Sequence, residues 1–80
     1  MAEIKEDRLL DTSGLSCPMP VVKAGKEMRA MSPGQVLKII ATDRGALADI
    51  PAWAEDTGNE LLDTKDEGAR LTFLVRKGAE

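Results

Sequence analysis

The strongest strand signal in the sequence is QVLKIIAT, residues 35–42, which is rich in β-branched residues and almost continuously apolar. Such a run is typical of a strand that lies in the middle of a sheet. Turn-forming residues bound it, with Pro33-Gly34 ahead of it and the 43–45 loop behind it. We therefore predict a central strand at this point, with the rest of the domain built around it.

A helix is predicted ahead of this strand. Between residues 21 and 31, apolar side chains recur at spacings of three and four residues, which stacks them on one face of a helix. These side chains are Val21, Ala24, Met28 and Met31. The proline and glycine at 33 and 34 end the helix, since proline cannot continue it and glycine suits the reversal of the chain.

A second helical region follows the strand and runs toward Gly58. Pro51 is unfavourable inside a helix, because it has no N–H group and its ring clashes with the preceding turn. We therefore expect the regular helix to begin with Asp49 as its N-cap, and any turn over residues 46–48 to be a separate short piece.

Three further strands complete the pattern. They are residues 8–12, 59–65 and 70–77, the last two joined by a hairpin turn over 66–69. The order βαβαββ predicts an α+β fold, a two-layer α/β sandwich with two helices on one face of a four-stranded mixed sheet. We expect residues 1–7 to be a flexible N-terminal segment and residues 8–78 to form one domain.

Composition excludes several classes of function. The chain has 11 Lys and Arg against 14 Asp and Glu, a net charge of -3, which argues against direct nucleic-acid binding. One cysteine and no histidine exclude an internal disulfide and the usual zinc sites, and we expect neither metal nor cofactor. Since no stretch has the form of a membrane span or a signal peptide, a free thiol predicts a cytoplasmic protein without membrane contact.

The cysteine lies in LSCPMP, residues 15–20, between the first strand and the first helix. Proline fits the first turn of a helix, where N–H groups lack partners, so Pro18 and Pro20 mark where the helix begins. Two registers are open: either Cys17 is the N-cap, or the helix starts at Pro20, because a residue before proline avoids the helical conformation. In both registers the βαβ topology brings Cys17 close to the 43–45 loop.

A thiol at this position has two interpretations. The N-terminus of a helix carries partial positive charge, which should favour thiolate, lower the pKa of Cys17 and make its alkylation faster than that of a free cysteine. The alternative is a small buried hydrophobic side chain, as free cysteines often are. The flanking prolines favour the exposed, reactive thiol.

At this point the chain resembles a known family. GLSCPMPVVKAGKEM matches the Cys-Pro-x-Pro signature that opens the first helix of TusA-like, or SirA-like, sulfur carrier proteins. The likeness runs over residues 8–78 and includes the segments LDTSGLSCPMP, SPGQVLKIIATD and DIPAWAEDTGNELL. The resemblance implies the same βαβαββ sandwich and a role in relaying sulfane sulfur as a cysteine persulfide.

Carried over residue by residue, the resemblance makes Cys17 the nucleophile that accepts the sulfur. Pro18, Met19 and Pro20 would support it at the helix entrance. Met19 has two open interpretations, since it would either offer apolar docking surface beside the thiol or cover the first turn as a lid.

The resemblance also names residues near the loop. Asp43 would match the family's loop aspartate, and Asp49 the acidic residue before Ile-Pro. Arg44 stands where the family often has proline, and is either a solvated loop arginine or a cation that holds a persulfide or guides docking. Three cations of the first helix form either a solvated face or a contact for an acidic partner surface. They are Lys23, Lys26 and Arg29.

Two classes of function follow. The first is a sulfurtransferase-type carrier, for which the resemblance implies a cysteine desulfurase or rhodanese-like protein as donor and a DsrE-like or TusBCD-type protein as acceptor. The second is a non-catalytic regulatory or interaction module in which Cys17 is structural. A redox sensor that forms mixed disulfides is a further possibility. We expect the chain to act as a monomer with these partners.

Overall fold

In the computed structural model of the chain, residues 5–78 are described, and they form six elements. In chain order these are β1 (Arg8–Thr12), α1 (Met19–Arg29), β2 (Val36–Ala41), α2 (Ala46–Asp56), β3 (Glu60–Asp66) and β4 (Leu71–Arg76). The predicted order βαβαββ is therefore confirmed. Residues 1–4, in the segment predicted to be flexible, lie outside the described residues. In the described part, neither helix has the length and apolar composition that crossing a membrane requires.

The four strands form one mixed sheet in the order β1-β2-β4-β3. β1 pairs with β2 in parallel, with Leu10 opposite Ile39, and β4 pairs with β2 in the antiparallel sense, with Phe73 opposite Ile39. β3 pairs with β4 on the outer edge, with an irregularity between Leu61 and Asp63. The central place predicted for residues 35–42 is thus confirmed, because β2 has a neighbour on each side.

The core lies between the sheet and the two helices. Alternate residues of β2 and β4 point to the helices and are fully buried, while α1 and α2 contribute alanine and methionine side chains together with Ile50. The core residues are Ala24, Met28, Met31, Leu37, Ile39, Ala41, Ala46, Ile50, Ala54, Leu71, Phe73 and Val75. This arrangement confirms the α+β two-layer sandwich with both helices on one face.

The start of α2 corrects the sequence prediction. Asp49 is not the N-cap: the helix begins at Ala46 with Gly45 as N-cap and continues through Pro51 without a break. The N–H groups of the first turn bond to the loop before it, as Ala46 to the carbonyl of Asp43 at 3.0 Å. Pro51 therefore removes only one bond of a ladder that is already anchored, and packing of the buried face on the sheet keeps the helix continuous.

The start of α1 falls between the two registers that the sequence allowed. Pro18 is the N-cap, so that Met19 is the first helical residue and Pro20 the second. Neither Cys17 as N-cap nor a helix that starts at Pro20 is correct. The N–H of Met19 closes a turn on the carbonyl of Ser16 at 2.9 Å, which brings the helical conformation forward by one residue.

The loop after β2 is fixed to the β3–β4 hairpin by a charged cluster. The two terminal nitrogens of Arg44 donate to the two carboxylate oxygens of Asp66 at 3.1 and 2.7 Å, and one of them also donates to the carbonyl of Gly68 at 3.0 Å. Hydrogen bonds from Arg44 and from the Gly68 N–H lower the pKa of Asp66 from 3.8 to about 2. The paired geometry orients the loop that leads into α2.

Asp66→Asn is expected to lower the free energy of unfolding at neutral pH. Since the pKa of Asp66 is lower in the folded state, its stabilisation is present above about pH 4 and is lost as the pH falls toward about 2. Urea unfolding over a pH series measures this, and the gap between variant and parent should close in that window. Glu67→Gln, which removes the same charge from the same turn, is the control. A gap that does not change with pH would contradict the ion-pair explanation.

Candidate functional site

The thiol of Cys17 is exposed at the entrance of α1. Its backbone N–H donates to Oδ2 of Asp43 at 2.6 Å, which confirms the predicted proximity of Cys17 and the loop after β2. The N–H of Gly45 also donates to Asp43, through Oδ1 at 3.3 Å. One carboxylate thus holds both the cysteine and its own turn, and the interpretation of Cys17 as a buried hydrophobic side chain is wrong.

Two more hydrogen bonds join the ends of β1 and β2 beneath the site. The buried hydroxyl of Thr12 donates to the carbonyl of Ile40 at 2.6 Å. The N–H of Gly14 donates to the hydroxyl of Thr42 at 2.8 Å. Parallel strands end at the same edge of the sheet, so these bonds fix the two following loops to one another.

A second carboxylate contacts the sulfur itself. The thiol of Cys17 donates to Oδ2 of Asp49 across a distance of 2.5 Å between Sγ and the oxygen. Asp49 is half-buried in the first turn of α2, which points its carboxylate at the entrance of α1. The reacting atom therefore lies between two helix N-termini and next to two acidic side chains.

The predicted fall in the pKa of the thiol is wrong. The hydrogen bond to Asp49 raises the pKa of Cys17 above its ordinary value, and desolvation and the charges of Asp49 and Asp43 raise it further. The helix entrance offers little to oppose this, because Pro18 and Pro20 have no N–H and Met19 donates its own to Ser16. We therefore expect Cys17 to be alkylated no faster than a free cysteine at neutral pH.

The site is not arranged for a metal. Within residues 5–78, no group of three or more histidine, cysteine or acidic side chains is placed to hold an ion.

Comparison with known proteins connects this arrangement to a family. The sequence profile described as Sulfurtransferase TusA matches residues 8–77. The chain belongs to the TusA family. This finding bears out the resemblance seen in the sequence, and it supports a sulfur-transfer role.

Individual relatives agree with this assignment. The sulfur carrier protein TusA of Allochromatium vinosum is 52% identical over 71 residues, which are 89% of this chain and 93% of that protein. The putative sulfur carrier protein YrkF of Bacillus subtilis is 49% identical over 96% of this chain, which spans only 42% of YrkF. A crystal structure of a SirA-like protein from Desulfitobacterium hafniense matches with a TM-score of 0.78. It covers 89% of this chain and 97% of that one at 19% identity, which supports the fold alone.

The cations predicted for this TusA-family site lie at different distances from the sulfur. The guanidinium of Arg44 points at the β3–β4 hairpin, where it pairs with Asp66. Lys23, Lys26 and Arg29 are exposed on α1, the last two in its final turn. A rise of 1.5 Å per residue puts that turn about 10–15 Å along the axis from the entrance. A role for any of them in binding an anion or a partner stays a prediction.

Apolar side chains are exposed beside the thiol. Met19 is 40% exposed and Val22 54% exposed, and their spacing of three residues puts them on the same side of α1. Pro20, in contrast, is buried against the fold. The exposure of Met19 favours the docking interpretation over that of a lid. Val22 was not identified from the sequence, because its spacing from the core face alone does not show whether another part of the chain covers it.

The contact of Asp49 with the thiol is not predicted from the sequence, although the family resemblance names Asp49 as the acidic residue before Ile-Pro. Asp49 was assigned to the N-cap of α2, where its carboxylate would have bonded to its own helix. The available signal was the topology: both loops at this edge of the sheet lead into helices, so the first turn of α2 faces the first turn of α1. An acidic residue in that turn is therefore near Cys17.

Proposed function

We propose that this protein is a sulfur carrier that relays sulfane sulfur as a persulfide on Cys17, between a donor enzyme and an acceptor protein. The observation that carries the proposal is the exposed thiol, held by its backbone to Asp43 at the entrance of α1. Membership of the TusA family supports the same role. The prolines on either side of Met19 restrict the backbone beneath the sulfur, which favours presentation to another protein.

Loading exchanges one sulfur–sulfur bond for another. The Cys17 thiolate attacks the outer sulfur of a persulfide on the donor, the new bond forms to Sγ, and the donor's own sulfur leaves as a thiolate. The proton lost by Cys17 balances the proton gained by that thiolate. The transferred atom keeps its oxidation state, so the step consumes neither an oxidant nor a reductant.

Release requires a nucleophile from outside the chain. Because Cys17 is the only cysteine, no internal thiol can displace the sulfur as a disulfide forms. An acceptor thiolate instead attacks the outer sulfur, and Cys17 leaves as a thiolate that regains a proton. The carrier returns to its starting state after each transfer.

Both partners need a surface next to the sulfur. Met19 and Val22 supply exposed apolar area there, and burial of such area favours association. The exposed cations of α1, farther along the same helix, suit an acidic partner rim. By resemblance, the donor is a cysteine desulfurase or a rhodanese-like protein, and the acceptor is a DsrE-like or TusBCD-type protein.

Sulfur loading tests the proposal. The protein is incubated without reductant with a cysteine desulfurase and cysteine, and in parallel with a rhodanese and thiosulfate, and its intact mass is measured. We expect a gain of one sulfur atom from at least one donor and its loss on addition of dithiothreitol. An unchanged mass with both donors would contradict the carrier function.

The same measurement separates the alternatives. A redox sensor would gain oxygen or glutathione under oxidant alone. The raised pKa of Cys17 argues against that role, because the thiolate is the form that oxidises. A non-catalytic module would gain nothing and would keep partner binding after Cys17→Ser.

A further inference from the structure

The contact between Cys17 and Asp49 is unusual for a nucleophilic cysteine. Reactive cysteines normally lie near cations, which stabilise the thiolate. Here the sulfur donates to a carboxylate at 2.5 Å, and a second carboxylate, Asp43, holds the adjacent N–H at 2.6 Å. The site as built therefore favours a sulfur that carries a proton.

The protonation state of the sulfur depends on the charged groups of every element packed around it. α2 supplies Asp49, and the loop after β2 supplies Asp43 together with Arg44, whose guanidinium is engaged by Asp66. The first turn of α1 contains no acidic side chain, and its basic residues begin at Lys23. Near the end of β1, Asp11 accepts hydrogen bonds from the N–H and the hydroxyl of Ser13 in the following turn. Asp49 is thus the titratable group in contact with Sγ.

We propose that Asp49 is a catalytic residue of the relay, which keeps a proton on the sulfur at position 17 both before and after loading. The inference rests on the carrier function proposed above and assigns a role in it to one further residue. An S–S bond is about 2 Å long, so an outer sulfur bonded to Sγ can rotate into hydrogen-bonding range of a carboxylate that contacts Sγ itself.

In the free carrier, the proton protects the thiol. Oxidants and alkylating agents react with the thiolate, so a neutral thiol survives until a donor docks. The docked donor then has to compensate the negative charge of Asp49 before Cys17 can lose its proton and attack. Removal of the charge at position 49 should therefore increase the thiolate fraction of the free protein.

In the loaded carrier, the proton directs the sulfur outward. Handover requires the outer sulfur to act as an electrophile, and its protonated form does so, whereas its anion repels an incoming thiolate. With the S–S–H group donating to Asp49, the acceptor thiolate attacks the outer sulfur and removes it with its hydrogen. Cys17 departs as a thiolate, takes a proton from water and again donates to Asp49.

The first arm of the test is the pH dependence of iodoacetamide alkylation. Asp49→Asn preserves the size of the side chain, and its amide can donate to a thiolate, so we expect the midpoint of the profile to fall. Alkylation at neutral pH should become several-fold faster, although the lower basicity of the thiolate offsets part of the gain. Asp56→Asn removes the same charge from the far end of α2 and should match the parent. Equal midpoints for Asp49→Asn and the parent would overturn the proposal.

The second arm follows sulfur through both half-reactions. Protein loaded by a desulfurase is separated from it and mixed with glutathione, and intact mass reports the return of the free thiol. For Asp49→Asn we expect loading at least as fast as in the parent, and handover several-fold slower. Asp49→Glu, which keeps a carboxylate, should restore the rate of handover toward that of the parent.

A structural role for Asp49 would give a different pattern. If loading and handover slow together, or if handover is unchanged, the proposal fails although the carrier function stands. If the parent itself does not load from any donor, the carrier function fails. The alkylation arm needs no donor, so these two failures are distinguishable.

Discussion

Cys17→Ser is expected to abolish sulfur loading completely. A serine hydroxyl has nearly the same size but cannot form the sulfur–sulfur bond on which the relay depends, and the chain contains no other thiol. Intact mass after incubation with a desulfurase and cysteine should show no gain of sulfur at any time. Since the side chain is exposed, we expect the fold and the midpoint of urea unfolding to change little.

The matched control moves the thiol by one residue. Ser16→Cys in the Cys17→Ser background restores an exposed thiol, but on the residue before the one whose backbone bonds to Asp43 and whose side chain contacts Asp49. We expect loading to stay far below that of the parent protein. Equal loading at the two positions would mean that any surface thiol accepts sulfur, and the geometry around Cys17 would then have no role.

Phe73→Ala is expected to have the largest effect on stability. Phe73 is fully buried in the central part of the sheet and is the largest such side chain among the described residues. Truncation of a buried phenylalanine costs about 3–5 kcal/mol. An 80-residue domain has a net stability of roughly 4–12 kcal/mol. We therefore expect the variant to lose much of its folded population, as measured by urea unfolding and circular dichroism.

Leu74→Ala provides the comparison for this effect. Leu74 is the next residue of β4, is only half-buried and points to the face of the sheet without helices. Less apolar area is lost to solvent there, so the decrease in unfolding free energy should be distinctly smaller. Equal decreases in the free energy of unfolding for the two variants would show that burial on the helix-facing side of the sheet contributes no more to stability than burial on the other face.

The fold was predictable from the sequence because the apolar patterns are local and consistent. The nearly continuous apolar run of β2 predicted a central strand, and the spacing of Ala24 and Met28 predicted the buried face of α1. The observed strands differ from the predicted ones by about a residue at their ends. Each of these elements could be predicted from the apolar pattern of its own residues, without information from residues distant in the sequence.

The start of α2 was not predictable in the same way. Propensity alone made Pro51 a barrier and Asp49 a cap, whereas bonds to the preceding loop and burial of Ile50 extend the helix past both. These are tertiary effects, and local preference is weak against them. The predicted direction of the pKa shift of Cys17 was wrong for the same reason, since the carboxylate that raises the pKa, that of Asp49, lies 32 positions away along the chain.

The hydrogen bond from the backbone N–H of Cys17 to Asp43 limits how far the cysteine can move from the entrance of α1. The same carboxylate also bonds to Gly45, so the cysteine is not at the tip of a swinging arm. In the relay proposed above, the whole molecule rather than a moving loop would therefore deliver the sulfur. Donor and acceptor, both proposed to use the side of α1 beside the sulfur, would then bind there one after the other. The rate of transfer in such a relay would then depend on how quickly the first complex dissociates.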